Sequence, residues 1–134
     1  MKKLLPLSLT GILLAGCMNT IPIETKPLRS SKIFSQAKAL AADRLRDPEA
    51  TRFKDEYTAY QASNGDIIVC GTLNGKNAMG GYVGYKPFYV RMRDGNLVVF
   101  NLPSASDDYG FEEQQIRQAC SDAATGNIMV SSST

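Results

Sequence analysis

The chain has 134 residues, the length of a single domain, and its 43% hydrophobic and 21% charged residues argue against a chain that is disordered throughout. Its 15 basic residues exceed its 13 acidic ones by two, and Lys2 and Lys3 account for that excess. The rest of the chain is formally neutral and lacks the charge excess that displaces counterions from phosphates, so we expect no nucleic-acid binding.

The first residues have the pattern of a secretory signal peptide. Met1-Lys2-Lys3 precedes a mostly apolar stretch from Leu4 to Leu14, and small residues follow it. This stretch is shorter than the about 20 residues of a membrane-spanning helix, and Pro6 and Gly11 weaken it further. We therefore predict that residues 1–16 are a signal peptide and that the chain has no transmembrane anchor.

Leu14-Ala15-Gly16-Cys17 resembles the lipobox of bacterial lipoproteins, in which a cysteine after leucine and two small residues receives a diacylglycerol before the leader is cleaved. The resemblance implies that Cys17 is lipidated and that its acyl chains, palmitate among them, hold the mature protein on a membrane. In enteric lipoproteins, aspartate after this cysteine retains the protein in the inner membrane. Met18 therefore implies the outer membrane, with the domain in the periplasm. An ordinary secretory leader is the alternative.

Residues 17–30 are predicted to be the lipidated N-terminus and a flexible tether, because Pro22 and Pro27 interrupt a segment without sustained periodicity. Residues 31–134 are predicted to form one α+β domain.

The domain begins with a predicted amphipathic helix. Ser30 or Ser31 can cap its first amides, and Asp47-Pro48 ends it, because a residue before proline avoids the helical region. Its apolar residues recur at steps of three and four: Ile33, Phe34, Ala37, Leu40, Ala41 and Leu45.

The middle of the chain predicts a four-stranded antiparallel meander. Residues 52–73 form a hairpin around the Ser63-Asn64-Gly65-Asp66 turn. Strands at 82–92 and 97–100 follow, joined by a tight turn at Asp94-Gly95.

A second helix is predicted from about Phe111, with Glu112 and Glu113 in its first turn and Gly126 after its end. Phe111, Ile116, Ala119, Cys120 and Ala123 line one side of it. The tail, residues 128–134, is predicted either to add a short edge strand or to fray.

The remaining cysteines predict a disulfide. With Cys17 bound to lipid, Cys70 and Cys120 are the thiols left in a chain sent to an oxidising compartment. Their bond would tie the second helix to the sheet and stabilise the fold by about 4 kcal/mol on the chain-entropy model.

The sequence offers little for catalysis. The chain has no histidine, which removes the usual general base, the common serine and cysteine triads and most zinc sites. The carboxylate pairs Asp107-Asp108 and Glu112-Glu113 could serve a glycosidase or a calcium site, but a solvated loop and a helix start favour acids in any case. We expect no enzyme, no metal and no cofactor.

The most unusual segment runs from Val69 to Val90 and contains five glycines. One interpretation is a long connection in which Gly80-Gly81 makes the bend and the asparagines bond their own backbone. The other is a binding loop, because tyrosine covers a large area at low entropic cost. Its candidate residues are Asn74, Lys76, Asn77, Gly80, Gly81, Tyr82 and Tyr85.

This segment resembles a family of small, largely uncharacterised proteobacterial and phage-associated exported proteins with a helix, a "DPxSxxF"-like segment, "CGxxNxKNxxGGYxGxxxF" and a late cysteine. The chain departs from the family at Ala50-Thr51, where a serine is usual, and at Gly75, where alanine is frequent. The resemblance supports the fold and the disulfide and implies no activity. Its matching residues are Asp47, Pro48, Phe53, Cys70, Gly71, Asn74, Lys76, Asn77, Gly80, Gly81, Tyr82, Gly84, Phe88 and Cys120.

The leading functional hypothesis is a non-catalytic envelope module that binds a protein or glycan partner through the Asn74 to Tyr85 loop. One alternative is a lipoprotein that excludes a phage or a toxin, as an immunity protein does. Another is a structural accessory of a secretion or cell-wall machine. A carbohydrate-cleaving enzyme without histidine is a further alternative.

Overall fold

The structure is a computed structural model that describes residues 20–126 and 128–131. These residues form an α+β arrangement, in which an antiparallel sheet carries one helix on each face. The predicted signal peptide, the lipobox and Cys17 lie outside the described residues.

The elements are β1 (Thr20–Ile23), β2 (Thr25–Pro27), α1 (Ser31–Ala42), β3 (Arg52–Phe53), β4 (Thr58–Ala62), β5 (Ile67–Asn74), β6 (Lys86–Arg93), β7 (Asn96–Asn101), α2 (Phe111–Thr125) and β8 (Ile128–Ser131). The main sheet has the order β2-β4-β5-β6-β7, and β3 pairs with the end of β5. β1 pairs with β8 in a separate antiparallel pair.

Helix α1 covers one face of the sheet. Ser30 caps it, since its hydroxyl oxygen accepts a hydrogen bond from the Ile33 amide at 3.4 Å. Its buried side chains, Phe34, Ala37 and Ala41, pack against the sheet. The helix ends at Ala42, five residues before the predicted end at Asp47, because the chain continues in short turns between.

Helix α2 covers the other face, and Ile116 and Ala123 are its buried residues. Gly126 ends it at a φ of 80°, in the left-handed region that glycine adopts readily. Cys120 is bonded to Cys70 of β5, which confirms the predicted disulfide. Phe111 was predicted to lie on the apolar side of this helix but is 65% exposed, because it is the first residue of the helix, where its ring lies 6.0 Å from that of the exposed Tyr109.

The predicted α+β class, the antiparallel sheet and the two helices are confirmed. The four predicted strands are present in meander order as β4 to β7, and Asp94 and Gly95 both have positive φ in the tight turn of the last hairpin. The number of strands was underestimated, because β2 and β3 also join the sheet.

The predicted hairpin over residues 52–73 is interrupted. Four residues, 54–57, lie opposite only two on β5, so the chain bulges between β3 and β4. The bulge allows Tyr57 to stack on Phe34 with 3.9 Å between ring centroids. Periodicity could not reveal it, because an even number of extra residues leaves the alternation unchanged.

The segment predicted to be a flexible tether, residues 17–30, is paired over most of its described part. Thr25 to Pro27 form the edge strand β2 beside β4, and Thr20 to Ile23 pair with β8. The prediction of an unstructured tether is therefore wrong for these residues. Pro27 is compatible with an edge strand. Proline has no amide hydrogen to donate, and an edge strand has a neighbour on one side only. Residues 128–131 form a strand, β8, but it pairs with β1 and does not add an edge to the predicted meander.

Candidate functional site

The candidate binding loop is itself a β-hairpin, here called the 74–85 hairpin. Lys76 and Tyr82 form an isolated antiparallel bridge. The Asn77 amide donates to the Gly81 carbonyl at 2.8 Å, and the Val83 amide donates to the Gly75 carbonyl at 3.3 Å. The third strand therefore begins at Lys86 and not at Tyr82 as predicted, because the chain first completes this hairpin.

Two asparagines form the frame of the hairpin. The side-chain oxygen of Asn77 accepts hydrogen bonds from the amides of Met79 and Gly81, both at 3.0 Å. The side-chain oxygen of Asn74, which is buried, accepts from the Gly84 amide at 3.0 Å. The asparagines thus bond the backbone of their own loop, as the structural interpretation of this segment predicted.

The glycines of the hairpin divide into two groups. Gly80 and Gly84 have φ of 78° and 102°, a region that side chains other than glycine rarely adopt. Gly81 has an ordinary φ, and a methyl group there would lie at van der Waals distance from Asn77. Gly81 is therefore not required by the local geometry.

Tyr82 and Tyr85 lie on the hairpin surface, and cationic side chains lie close to their rings. The Tyr82 hydroxyl donates to the Ala50 carbonyl at 2.7 Å, which ties the hairpin to the turn before β3. The guanidinium of Arg52 lies 4.2 Å from the Tyr82 ring centroid, and Lys54 Nζ lies 5.1 Å from the Tyr85 centroid. Lys76 Nζ lies 5.5 Å from the Tyr82 centroid and 3.8 Å from the Asp47 carboxylate.

The exposed apolar side chains of the hairpin were not predicted from the sequence. Met79 at its tip is 94% exposed and Val83 is 52% exposed. Arg52 and Lys54 were also missed as members of this surface, because β3 comes from 20 or more residues earlier in the chain. A sequence signal existed for Met79 alone: Asn77 and Gly80-Gly81 bracket it, which places it in a turn and so on the surface.

A cavity of about 360 Å³ lies between the base of the hairpin and the segment that follows β7. The hairpin contributes Val83 and Gly84 to its wall, and Leu45, Leu102 and Pro103 form an apolar wall opposite. Lys86 stands at its side and donates to the Ser104 carbonyl at 3.1 Å. The hairpin therefore has an apolar recess at its base.

The hairpin is at the far end of the sheet from the point where the N-terminal strands enter. Thr25 pairs with Ala62, and the Ser63 amide donates to the Glu24 carbonyl, so the chain enters beside the β4–β5 turn. Strand β5 runs from that turn to Asn74 over eight residues, about 26 Å.

Three of the four acids around the start of α2, Asp107, Glu112 and Glu113, have structural partners. Asp107 accepts hydrogen bonds from the amides of Glu112 and Glu113, and Arg117 contacts Glu113 at 2.6 Å. Desolvation acts to raise the pKa of Asp107, but the amides of Glu113, Glu112 and Phe111 and the charge of Lys86 outweigh it, so the pKa lies below its ordinary value. Asp107 therefore acts as the cap of α2, whose N-cap residue is Gly110.

Within residues 20–126 and 128–131, no group of three or more metal-ligating side chains comes together, and no helix is both long and apolar enough to cross a membrane. No protein-family model matches the chain, and comparisons with curated proteins and with solved structures found no match.

Proposed function

We propose that this protein is a non-catalytic, lipid-anchored envelope module that binds a partner through the 74–85 hairpin. The observation that carries the proposal is that some side chains of the hairpin hold its backbone while others face solvent. Asn74 and Asn77 hold its backbone in place, while Met79, Val83 and Tyr85 face solvent.

Preorganisation supports this proposal. A loop that is ordered before binding loses less conformational entropy when its partner arrives. The hairpin is fixed by its own ladder, by two asparagine side chains and by the bond from Tyr82 to Ala50. Exposed apolar residues on such a frame can lose their contact with water to a partner without a change in the backbone.

The recess at the base of the hairpin supports the same proposal. Binding energy at interfaces concentrates where an apolar group enters a pocket and excludes water. The cavity beside Val83 is lined mainly by apolar residues, with Lys76, Asn77 and Lys86 also in its lining, and has the size for one such group. Val83 would then contact the group that the partner inserts, and Met79 at the tip would contact the partner outside the recess.

The position of the hairpin agrees with a lipid anchor at Cys17. If that cysteine is in the membrane, only two residues lie between it and the first residue of β1, and the three Cα-to-Cα steps reach at most about 11 Å. The hairpin at the distal end of the sheet would then point away from the bilayer, toward partners in the periplasm.

The test is a crosslinking pull-down from intact envelopes with the full chain. Val83→Ser together with Met79→Ser should abolish capture of a discrete partner, because both substitutions remove apolar contact without touching the asparagine frame. Val98→Ser is the matched control, since Val98 is 44% exposed on β7, outside the hairpin.

Equal capture by the double variant and by wild type would show that the hairpin is not the binding surface. Loss of capture in the Val98→Ser control as well would also count against it, because the effect would then not be specific to the hairpin.

A further inference from the structure

The recess at the base of the 74–85 hairpin carries positive charge as well as apolar side chains. The charged residues of its lining are Lys76 and Lys86, and none of the described residues that line it is acidic. Most of the other side chains are apolar, among them Leu45, Leu102 and Pro103. The recess therefore offers an apolar group a place to enter and an anion a place to pair.

Lys86 is the cation of the recess that has donors to spare. Its ammonium has three donors and gives one to the Ser104 carbonyl at 3.1 Å. It forms no salt bridge within the described part of the chain, whereas Lys76 lies 3.8 Å from the Asp47 carboxylate. The Asp107 carboxylate also interacts with the charge of Lys86, but it lies outside the lining and accepts two amides of α2.

The position of this ammonium is fixed by the fold. Lys86 is the first residue of β6 and pairs with Leu73 of β5, so its backbone is held in the sheet. Its hydrogen bond to Ser104 places the ammonium between Pro103 and Ala105, and both of these residues line the recess. The positive charge therefore stands at the margin of the recess before a ligand arrives.

Two glycines leave space for the main chain of a ligand. Gly75 and Gly84 belong to the lining and have no side chain to occupy it. At Gly84, no atom of the described residues beyond its chain neighbours lies within 4 Å of the place that a Cβ would take. Glycine in such a wall permits the close approach of another backbone. A polypeptide therefore has room beside this part of the hairpin.

These features select among ligand classes. Two lysines without an acid in the lining disfavour a cation. A long acyl chain needs apolar surroundings along its whole length, but Lys76 and Asn77 form part of this lining. The last residue of a polypeptide has an apolar side chain and a carboxylate on the same Cα, which matches a recess for one apolar group with Lys86 at its margin.

We propose that the recess binds the C-terminal residue of a protein partner, with an apolar side chain inside the recess and the terminal carboxylate paired with Lys86. This inference deepens the proposed binding function and rests on it, because the recess is the base of the 74–85 hairpin.

The test is fluorescence anisotropy with the full chain in phosphatidylcholine nanodiscs and two labelled peptides, Gly-Ser-Gly-Ser-Leu and Gly-Ser-Gly-Ser-Phe. At least one of them should bind saturably when its C-terminus is a free carboxylate. The same peptide with a C-terminal amide should bind about tenfold more weakly, because it loses the charge-assisted hydrogen bond to Lys86.

Variants of Lys86 test the counter-ion. Lys86→Gln should weaken binding of the acid peptide about tenfold and leave binding of the amide unchanged, whereas Lys86→Arg should retain binding of the acid. A loss of folded structure would weaken both peptides, so the comparison separates the two effects. Lys38→Gln is the matched control, because Lys38 is half-buried like Lys86 but lies on α1, outside the lining.

Four results would overturn the inference. They are no binding of either peptide, equal binding of the acid and the amide, equal binding of the acid to Lys86→Gln and to wild type, and displacement of the peptide by octanoate as readily as by unlabelled peptide.

Failure of this inference is distinguishable from failure of the proposed function. Capture of a partner that depends on Met79 and Val83, without binding of either peptide, would remove the C-terminal residue as the ligand and leave the hairpin as the binding surface.

Discussion

At the scale of single residues, two glycines of the same segment differ in whether the structure has room for a side chain in their place. Gly71 has an ordinary φ, yet a methyl group there would lie 2.8 Å from Cε1 of Phe88, which is fully buried. A methyl group on Gly75 would lie 3.5 Å from Leu45, an ordinary contact. Gly71 is thus required by packing and Gly75 is not.

Gly71→Ala should therefore destabilise the domain by about 1–3 kcal/mol, because the buried Phe88 ring cannot move aside without displacing the core. Gly75→Ala is the control and should change stability by less than about 0.5 kcal/mol. Urea denaturation of both variants measures the difference. Equal stability of the two would contradict the packing argument.

Residue identities predicted the candidate site only in part. Asn74, Asn77, Tyr82 and Tyr85 were found because their types are typical of turns and of binding loops. The sequence could not distinguish their roles, because the residue type is the same for an asparagine that bonds its own loop and for one that contacts a partner. The geometry assigns Asn74 and Asn77 to the frame of the hairpin.

At the scale of elements, helix α2 depends on a cap that lies four residues before its first residue. The Asp107 carboxylate accepts the amides of Glu112 and Glu113, and its pKa is lowered by these bonds. A lowered pKa stabilises the folded state at pH values above the ordinary pKa of 3.8, and this stabilisation is lost as pH falls through the lower, folded-state value.

Asp107→Ala should therefore lower Tm at neutral pH and reduce the loss of Tm between neutral and strongly acidic pH. Thermal unfolding followed by circular dichroism at both pH values measures this. Asp108→Ala is the control, because that neighbouring carboxylate is exposed. An unchanged acid dependence in Asp107→Ala would contradict the role of Asp107 as cap.

The sequence predicted elements well where a pattern is local. Both helices, the two tight turns and the order of the meander follow from periodicity and turn residues. The edge strand β2 and the pairing of β1 with β8 were missed, because both depend on partners at least 33 residues away that have no local signature. Lys26 and Pro27 also resemble a linker more than a strand.

At the scale of the whole molecule, the Cys70–Cys120 disulfide joins the sheet to the C-terminal helix. The sequence separation of 50 residues gives a loop whose closure should stabilise the fold by about 4 kcal/mol. Cys70→Ala with Cys120→Ala should lower the free energy of unfolding by about that amount in urea, and added reductant should then have no further effect. An unchanged urea midpoint would contradict this.

The central claim is that the 74–85 hairpin is the surface that meets the partner, and photo-crosslinking in living cells tests it most directly. A benzoylphenylalanine in place of Met79, at the exposed tip, is compared with one in place of Ser63, an exposed residue in the turn at the opposite end of the sheet. We predict a discrete crosslinked product from position 79 and none to a protein or glycan from position 63. The same product from both positions, or none from position 79, would contradict the claim.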